Sequence, residues 1–310
     1  MIQCHKVQFE LELNNDIFVI NSSPKTLEMK SVKSEFVVAS SKHNTPITLD
    51  INYADGALNR SLILFCHGFK GFKDWGHFNL MADYFVEQGF CVVKMNFSHN
   101  GTTPDHLIDF VDLEAFGKNN FSIELNDIDD VLTFLETDAS LPEEIKTHSK
   151  LFILGHSKGG ATSIVKFLDD ERFDAAATLA SVVYITQRYS NDEVGIWKKE
   201  GVVYIYNGRT DQQMPLYYQL AEDVIANMER LNIDERLKTN NRPLFMLHGK
   251  ADETVSCKEA ESQEGKPFVN VKLYDDVNHV FGSGHPTNDI QLPVDYLQAC
   301  KDIAEFYKAV

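Results

Sequence analysis

The run Gly155-His156-Ser157-Lys158-Gly159-Gly160 offers a nucleophile. It follows the apolar stretch Leu151 to Leu154 and opens onto Ala161, Ile164, Val165 and Leu168, whose spacings of three and four mark one face of a helix. A G-x-S-x-G run at a strand-to-helix turn lifts the serine hydroxyl onto a sharp bend, where side chains two positions either side would meet the neighbouring chain. The helix N-terminus beneath it favours developing negative charge. A serine hydroxyl needs a base, and the base needs an orienting acid; at such a turn they follow in the order Ser, Asp or Glu, His. Asp252 lies just past the apolar run Leu244 to Leu247, and His279 follows the run Val269 to Tyr274 and the turn Asp275-Asp276-Val277-Asn278. Both fall at the carboxyl ends of expected strands, where a doubly wound sheet gathers ligand-facing residues. His285 is the rival base and Asp211 the rival acid, and helix capping is the plainer use of Asp252.

Acyl transfer also needs two backbone N–H groups aimed at the oxyanion. Lys158, the residue after the serine, supplies one. The loop His67-Gly68-Phe69-Lys70-Gly71-Phe72, after the run Leu62 to Cys66, supplies the other through Phe69, and its glycines permit close backbone approach. The aromatic residues Phe69, Phe72, Trp75 and Phe78 suit an acyl pocket or core packing equally. Phe72, Trp75, His156 and Trp197 are the candidate substrate contacts. No metal or cofactor is expected. Ala161 stands where a P-loop needs Lys, and neither H-E-x-x-H nor a strand-borne G-x-G-x-x-G occurs.

The elements that must hold these residues are legible in the pattern. After Ser61 short continuous apolar runs alternate with amphipathic segments, as buried parallel strands joined by helices require. Strands are expected at Leu62 to Cys66, Phe90 to Met95, Leu151 to Leu154, Ala175 to Leu179, Leu244 to Leu247 and Val269 to Tyr274. Leu125, Ile128, Leu132 and Leu135 predict one helix, and a last helix begins at Pro293 with Leu297, Cys300, Ile303 and Ala304 on one face. This predicts an α/β, doubly wound, mostly parallel sheet over residues 61–180 and 243–310. Residues 1–60 read as an antiparallel β region joining that sheet, with alternation from Val7 to Leu13 and strands at Glu35 to Ala39 and Ile47 to Tyr53. The about sixty residues between Ala180 and Pro243 exceed the 2–6 of an ordinary connection. Residues 181–242 are therefore expected to be a lid insertion, with a hairpin at Val202 to Tyr206 and a helical stretch from Leu216 to Leu231.

The 310 residues carry Lys+Arg 29 against Asp+Glu 46, a net charge of −17, which repels nucleic acid and anionic lipid alike. No apolar run approaches the roughly 20 residues that span a bilayer, and Met1 to Glu10 lacks the apolar core of a secretory signal, so a cytoplasmic location is expected. The five cysteines, Cys4, Cys66, Cys91, Cys257 and Cys300, are scattered and suggest neither disulfides nor zinc. The pattern does not define an oligomeric state.

Together, His67-Gly68-Phe69, the turn from Gly155 to Gly159, His248-Gly249 with Asp252, and Asn278-His279 resemble the α/β-hydrolase superfamily over about residues 60 to 310. Within it they are similar to small bacterial serine esterases and to dienelactone-hydrolase-like or serine-aminopeptidase-like groups. The resemblance implies the triad Ser157, Asp252 and His279, an eight-stranded sheet whose first two strands precede Ser61, and a lid after the sixth strand. Asn96-Phe97-Ser98-His99-Asn100-Gly101 departs from the family's turn by lacking its acidic and arginine residues. Dienelactone hydrolases proper use Cys as nucleophile, so Ser157 argues against that substrate. The expected activity is metal-independent cleavage of a small-molecule carboxylic ester with a small apolar or aromatic acyl group, through an acyl-enzyme on Ser157. The alternatives are cleavage of acyl-peptides or thioesters, or a catalytically silent ligand-binding protein.

Overall fold

The computed structural model describes residues 31–189 and 192–310. The strand expected between Val7 and Leu13, and Cys4, lie outside the described residues. Eight strands form one sheet: β1 (Ser31–Ala39), β2 (Pro46–Ala54), β3 (Ser61–Cys66), β4 (Phe90–Asn96), β5 (Leu151–His156), β6 (Ala175–Leu179), and, after a two-stranded hairpin of β7 (Val202–Asn207) and β8 (Gln212–Tyr217), β9 (Leu244–Gly249) and β10 (Val269–Tyr274). Their spatial order is β1-β2-β4-β3-β5-β6-β9-β10. The pairs β1·β2 and β2·β4 are antiparallel and all others in this sheet are parallel, so β2 alone runs against the rest. This is the doubly wound, mostly parallel eight-stranded sheet of the α/β-hydrolase fold, with its first two strands before Ser61.

The continuous apolar runs are explained by burial on both faces. In β3, Leu62, Leu64 and Cys66 enter the core beneath the helices Phe121–Thr137 and Lys158–Asp169, while Ile63 and Phe65 enter the opposite core with Phe78–Glu87 and Val294–Ala309. The helix Phe121–Thr137 is capped by Asn120, whose Oδ1 accepts from the Ile123 N–H at 2.8 Å. Cys66, Cys91 and Cys300 are buried among these apolar residues.

Between β6 and β9 the helical stretch starts at Gln219 rather than Leu216 and breaks at Asn227, giving Gln219–Ala226 and Met228–Leu231. Leu216 belongs instead to β8, which tolerates Pro215 because it has a partner on one side only. Leu220, Val224, Ile233 and Leu237 of this region are buried in the main core, whereas Tyr204 and Tyr206 of the hairpin are 62% and 56% exposed. No helix of the described residues is long and apolar enough to cross a membrane.

Candidate active site

Ser157 lies between β5 and the helix Lys158–Asp169, at the helix N-cap, with φ 56° and ψ −121°, a conformation that side chains avoid. Its surroundings leave no room for a side chain at Gly155 or Gly159. A Cβ on Gly155 would lie 2.3 Å from the Gly159 carbonyl oxygen, and one on Gly159 would lie 2.2 Å from that of His67. The Ser157 N–H donates to Leu179 O at 2.9 Å, fixing the bend to the next strand.

The structure brings Ser157, His279 and Asp252 together from the carboxyl ends of β5, β10 and β9. Ser157 Oγ lies 3.0 Å from His279 Nε2, and His279 Nδ1 lies 2.7 Å from Asp252 Oδ2. Oδ1 of Asp252 accepts the N–H groups of Thr254 and Val255 at 2.8 and 2.9 Å, so the same carboxylate both holds a turn and faces the imidazole. A second histidine, His248, donates its Nε2–H to Asp252 Oδ2 and Val255 O, both at 3.0 Å. Although burial works to raise the Asp252 pKa, the hydrogen bonds from His248 and His279 and from the Val255 amide hold it well below the usual carboxylate range.

The loop after β3 approaches the nucleophile closely: a Cβ on Gly68 would lie 3.0 Å from Ser157 Cβ. The turn from Asn96 to Gly101 braces this loop from behind, with Asn96 Oδ1 accepting from the Lys73 N–H at 2.6 Å and Asn100 Nδ2 donating to Gly71 O at 3.3 Å. The Lys158 side chain turns away to pair with Glu124 and cover the Phe121 ring, leaving its backbone at the site. His156 donates Nε2–H to His279 O at 3.0 Å, and its burial, with His279 alongside, pushes its pKa down to about 3. It therefore steadies the His279 backbone as a neutral ring.

A cavity of about 430 Å³ opens over Ser157. Phe69, Trp75, Phe78 and His156 line it, as do Ile205, Asn207 and Arg209 of the hairpin and Thr254 and Val280. Two expected substrate contacts need correction. Phe72 is fully buried in a cluster with Phe110, Phe116 and Met214, because the turn closed by Trp75 N–H and Phe72 O tucks its ring under the loop. Trp197 packs in the main core and donates its indole N–H to Leu216 O at 2.9 Å, away from the cavity wall. Of the rivals, His285 accepts the Gly76 N–H and packs against Trp75, and Asp211 accepts from Tyr206. The hairpin residues and His248 as a second donor to Asp252 were not singled out from sequence. His248 carried a signal, since it stands four residues before Asp252 at a strand end, but no spacing rule links residues 205–209 to Ser157.

Sheet order, strand-end placement of the polar groups and the cavity define a hydrolase of the α/β-hydrolase fold. A model of the prolyl oligopeptidase family matches residues 77–300, and the chain belongs to that family. Among solved structures it is similar to Est1E from Butyrivibrio proteoclasticus with ferulic acid bound, at 14% identity and TM-score 0.68 over 88% of this chain and 98% of that one. It is also similar to the esterase Pf2001 from Pyrococcus furiosus (14% identity, TM-score 0.58, 97% and 98% covered) and to a dienelactone hydrolase from Anabaena variabilis (12%, 0.56, 89% and 98%). No curated protein matches the chain.

Proposed function

We propose that the protein is a serine-dependent carboxylesterase that cleaves small-molecule esters of small apolar or aromatic acids. The observation that carries this reading is the unbroken chain from Ser157 Oγ through His279 to Asp252, at 3.0 and 2.7 Å, beneath a cavity walled by Phe69, Trp75, Phe78, Ile205 and Val280. Ser157 Oγ attacks the acyl carbon while His279 Nε2 takes its proton. Asp252 holds the imidazole tautomer and offsets the imidazolium, and His279 passes the proton to the departing alkoxide. Water then attacks the acyl-enzyme by the same route, releasing the acid and restoring Ser157. The Phe69 and Lys158 N–H groups receive the oxyanion at each tetrahedral stage; no acceptor among the described residues occupies them. Residues 181–242 act as the insertion over the site, with the β7·β8 hairpin as its covering part and 61–180 with 243–310 as the catalytic body. The free thiols of Cys66, Cys91, Cys257 and Cys300 suit the reducing cytoplasm.

Family membership favours a second reading, cleavage of acyl-peptides, since the same groups attack any activated acyl carbon. One preparation assayed on ester, thioester and aminoacyl amide series separates the two. For the shared mechanism, Ser157→Ala is expected to lower kcat/KM for a p-nitrophenyl ester by at least about 10³-fold with the fold retained by circular dichroism. Unchanged turnover would remove the proposal.

A further inference from the structure

The cavity over Ser157 carries charge of one sign. Lys70 and Arg209 line it and no Asp or Glu of the described residues does, in a chain with Lys+Arg 29 against Asp+Glu 46. Arg209 has no carboxylate partner among the described residues. Its guanidinium lies over the rings of Phe72 and Phe110, at 5.3 and 5.6 Å, and donates Nη2–H to Lys70 O at 3.2 Å. That pose anchors the hairpin tip and spends one of the five donors an arginine carries. Beside it Asn207 is 4% exposed, lines the same cavity and accepts the Arg209 N–H on Oδ1 at 3.3 Å, which sets the orientation of its amide. The Asn207 Nδ2 has no acceptor among the described residues. Buried donors are nearly always paired, so an unpaired amide next to an uncompensated guanidinium marks a place for an acceptor that the protein itself does not bring.

We infer that the substrate carries a carboxylate, set apart from the scissile acyl carbon and received by Arg209 and Asn207 at the hairpin turn. A planar guanidinium already stacked on aromatic rings is preorganised for two parallel N–H···O contacts to a carboxylate. The carboxylate is a handle and is not consumed: the acyl C–O bond breaks, the water oxygen and one hydrogen go to the acyl carbon as hydroxyl, and the other hydrogen goes to the leaving oxygen. This inference rests on the esterase reading for its chemistry but not for its binding step.

The test compares mono-p-nitrophenyl succinate, glutarate and adipate with p-nitrophenyl butyrate and valerate for an acyl-side carboxylate, and 4-acetoxybenzoate with phenyl acetate for one on the leaving group. In one arm the carboxylate ester is expected to exceed its neutral match in kcat/KM by at least about tenfold. That ratio should fall at least about tenfold in Arg209→Gln, fall less in Arg209→Lys, which keeps the charge but loses the two parallel N–H contacts, and invert in Asn207→Asp, which sets a like charge against the handle. Neutral esters preferred in both arms, or an unaltered ratio in Arg209→Gln, would overturn the inference. If no ester is cleaved in a Ser157-dependent way, the esterase reading fails separately. Calorimetric binding of glutarate to Ser157→Ala, weakened about tenfold by adding Arg209→Gln, then still decides the carboxylate site, and binding that is absent or insensitive to Arg209 refutes it.

Discussion

Asp50 and Asp252 both have side chains with no exposed surface, and they are held in opposite ways. Asp50, on β2, contacts the ammonium groups of Lys33, Lys73 and Lys94 at 3.0, 2.8 and 3.2 Å, and Asp74 contacts the last two at 2.5 and 2.7 Å. Lysine side chains face the carboxylates there, and the result is a closed knot that ties β2 and β4 to the loop carrying Phe69. Among the described residues no lysine or arginine pairs with Asp252. Two imidazoles and two backbone amides hold it, so on the proposed mechanism its negative charge would remain to stabilise an imidazolium on His279. On the proposed mechanism, one protein buries a carboxylate for rigidity in one place and for chemistry in another: lysines face it in the first, and proton transfer creates its counter-charge in the second.

The largest effect expected from this contrast is in Asp252→Asn, where a carboxamide offers Nδ2–H to histidine N–H groups that need an acceptor. The His279 tautomer is then wrong, and kcat/KM for a p-nitrophenyl ester should drop about 10⁴-fold. A fall below tenfold in steady-state assays would mean that Asp252 only shapes its turn. Lys94→Met makes the opposite cut. It removes the buried ammonium that Asp50 and Asp74 share, leaving Lys73 between them and the partly exposed Lys33 on Asp50, and urea unfolding should show a loss of about 3–5 kcal/mol; a loss under about 1 kcal/mol would show that the knot is not held by charge.

His248→Phe tests the second donor to Asp252. Removing one buried, charge-directed hydrogen bond worth about 1–3 kcal/mol should lower kcat about tenfold to a hundredfold with KM little changed. Equal losses in both parameters would point to general disruption instead. The smallest effect concerns Asp127, a buried carboxylate with neither cation nor histidine as partner among the described residues; its Oδ2 accepts the Ser98 N–H at 2.7 Å, and burial pushes its pKa up to about 7. Because the folded state binds this proton more tightly than the unfolded chain, stability should decline as pH rises from about 4 to about 7 and then level off. Asp127→Asn, which cannot ionise, should gain stability relative to the parent across that interval. Parallel urea midpoints at pH 5 and pH 8 would contradict it.

The contrast also separates what was legible in the sequence from what was not. Strand runs such as Leu62 to Cys66 and Ala175 to Leu179 were readable because burial on both faces leaves a continuous apolar signature. The turn around Ser157 was readable because its glycines answer to close contacts within a few residues and to one neighbouring strand. The hairpin was harder. Pro215 breaks the strand pattern of β8, and the apolar residues from Leu216 onward also fit a helix, so only tertiary pairing with Val203 settles Leu216 as a strand residue. Trp197 and Phe72 were misplaced for a related reason: an aromatic side chain serves core and cavity alike, and the choice depends on which way a loop turns its ring. Arg209 and Asn207 carry no local motif; their place follows from where the hairpin tip lands.

The most direct test of the account is covalent labelling of the full chain with a fluorophosphonate, followed by mass spectrometry of its peptides. The account predicts a single phosphonyl adduct on Ser157, absent in Ser157→Ala and formed much more slowly in His279→Ala, whose serine lacks a base. No adduct on the wild-type chain, or an adduct on another residue with Ser157 untouched, would contradict it.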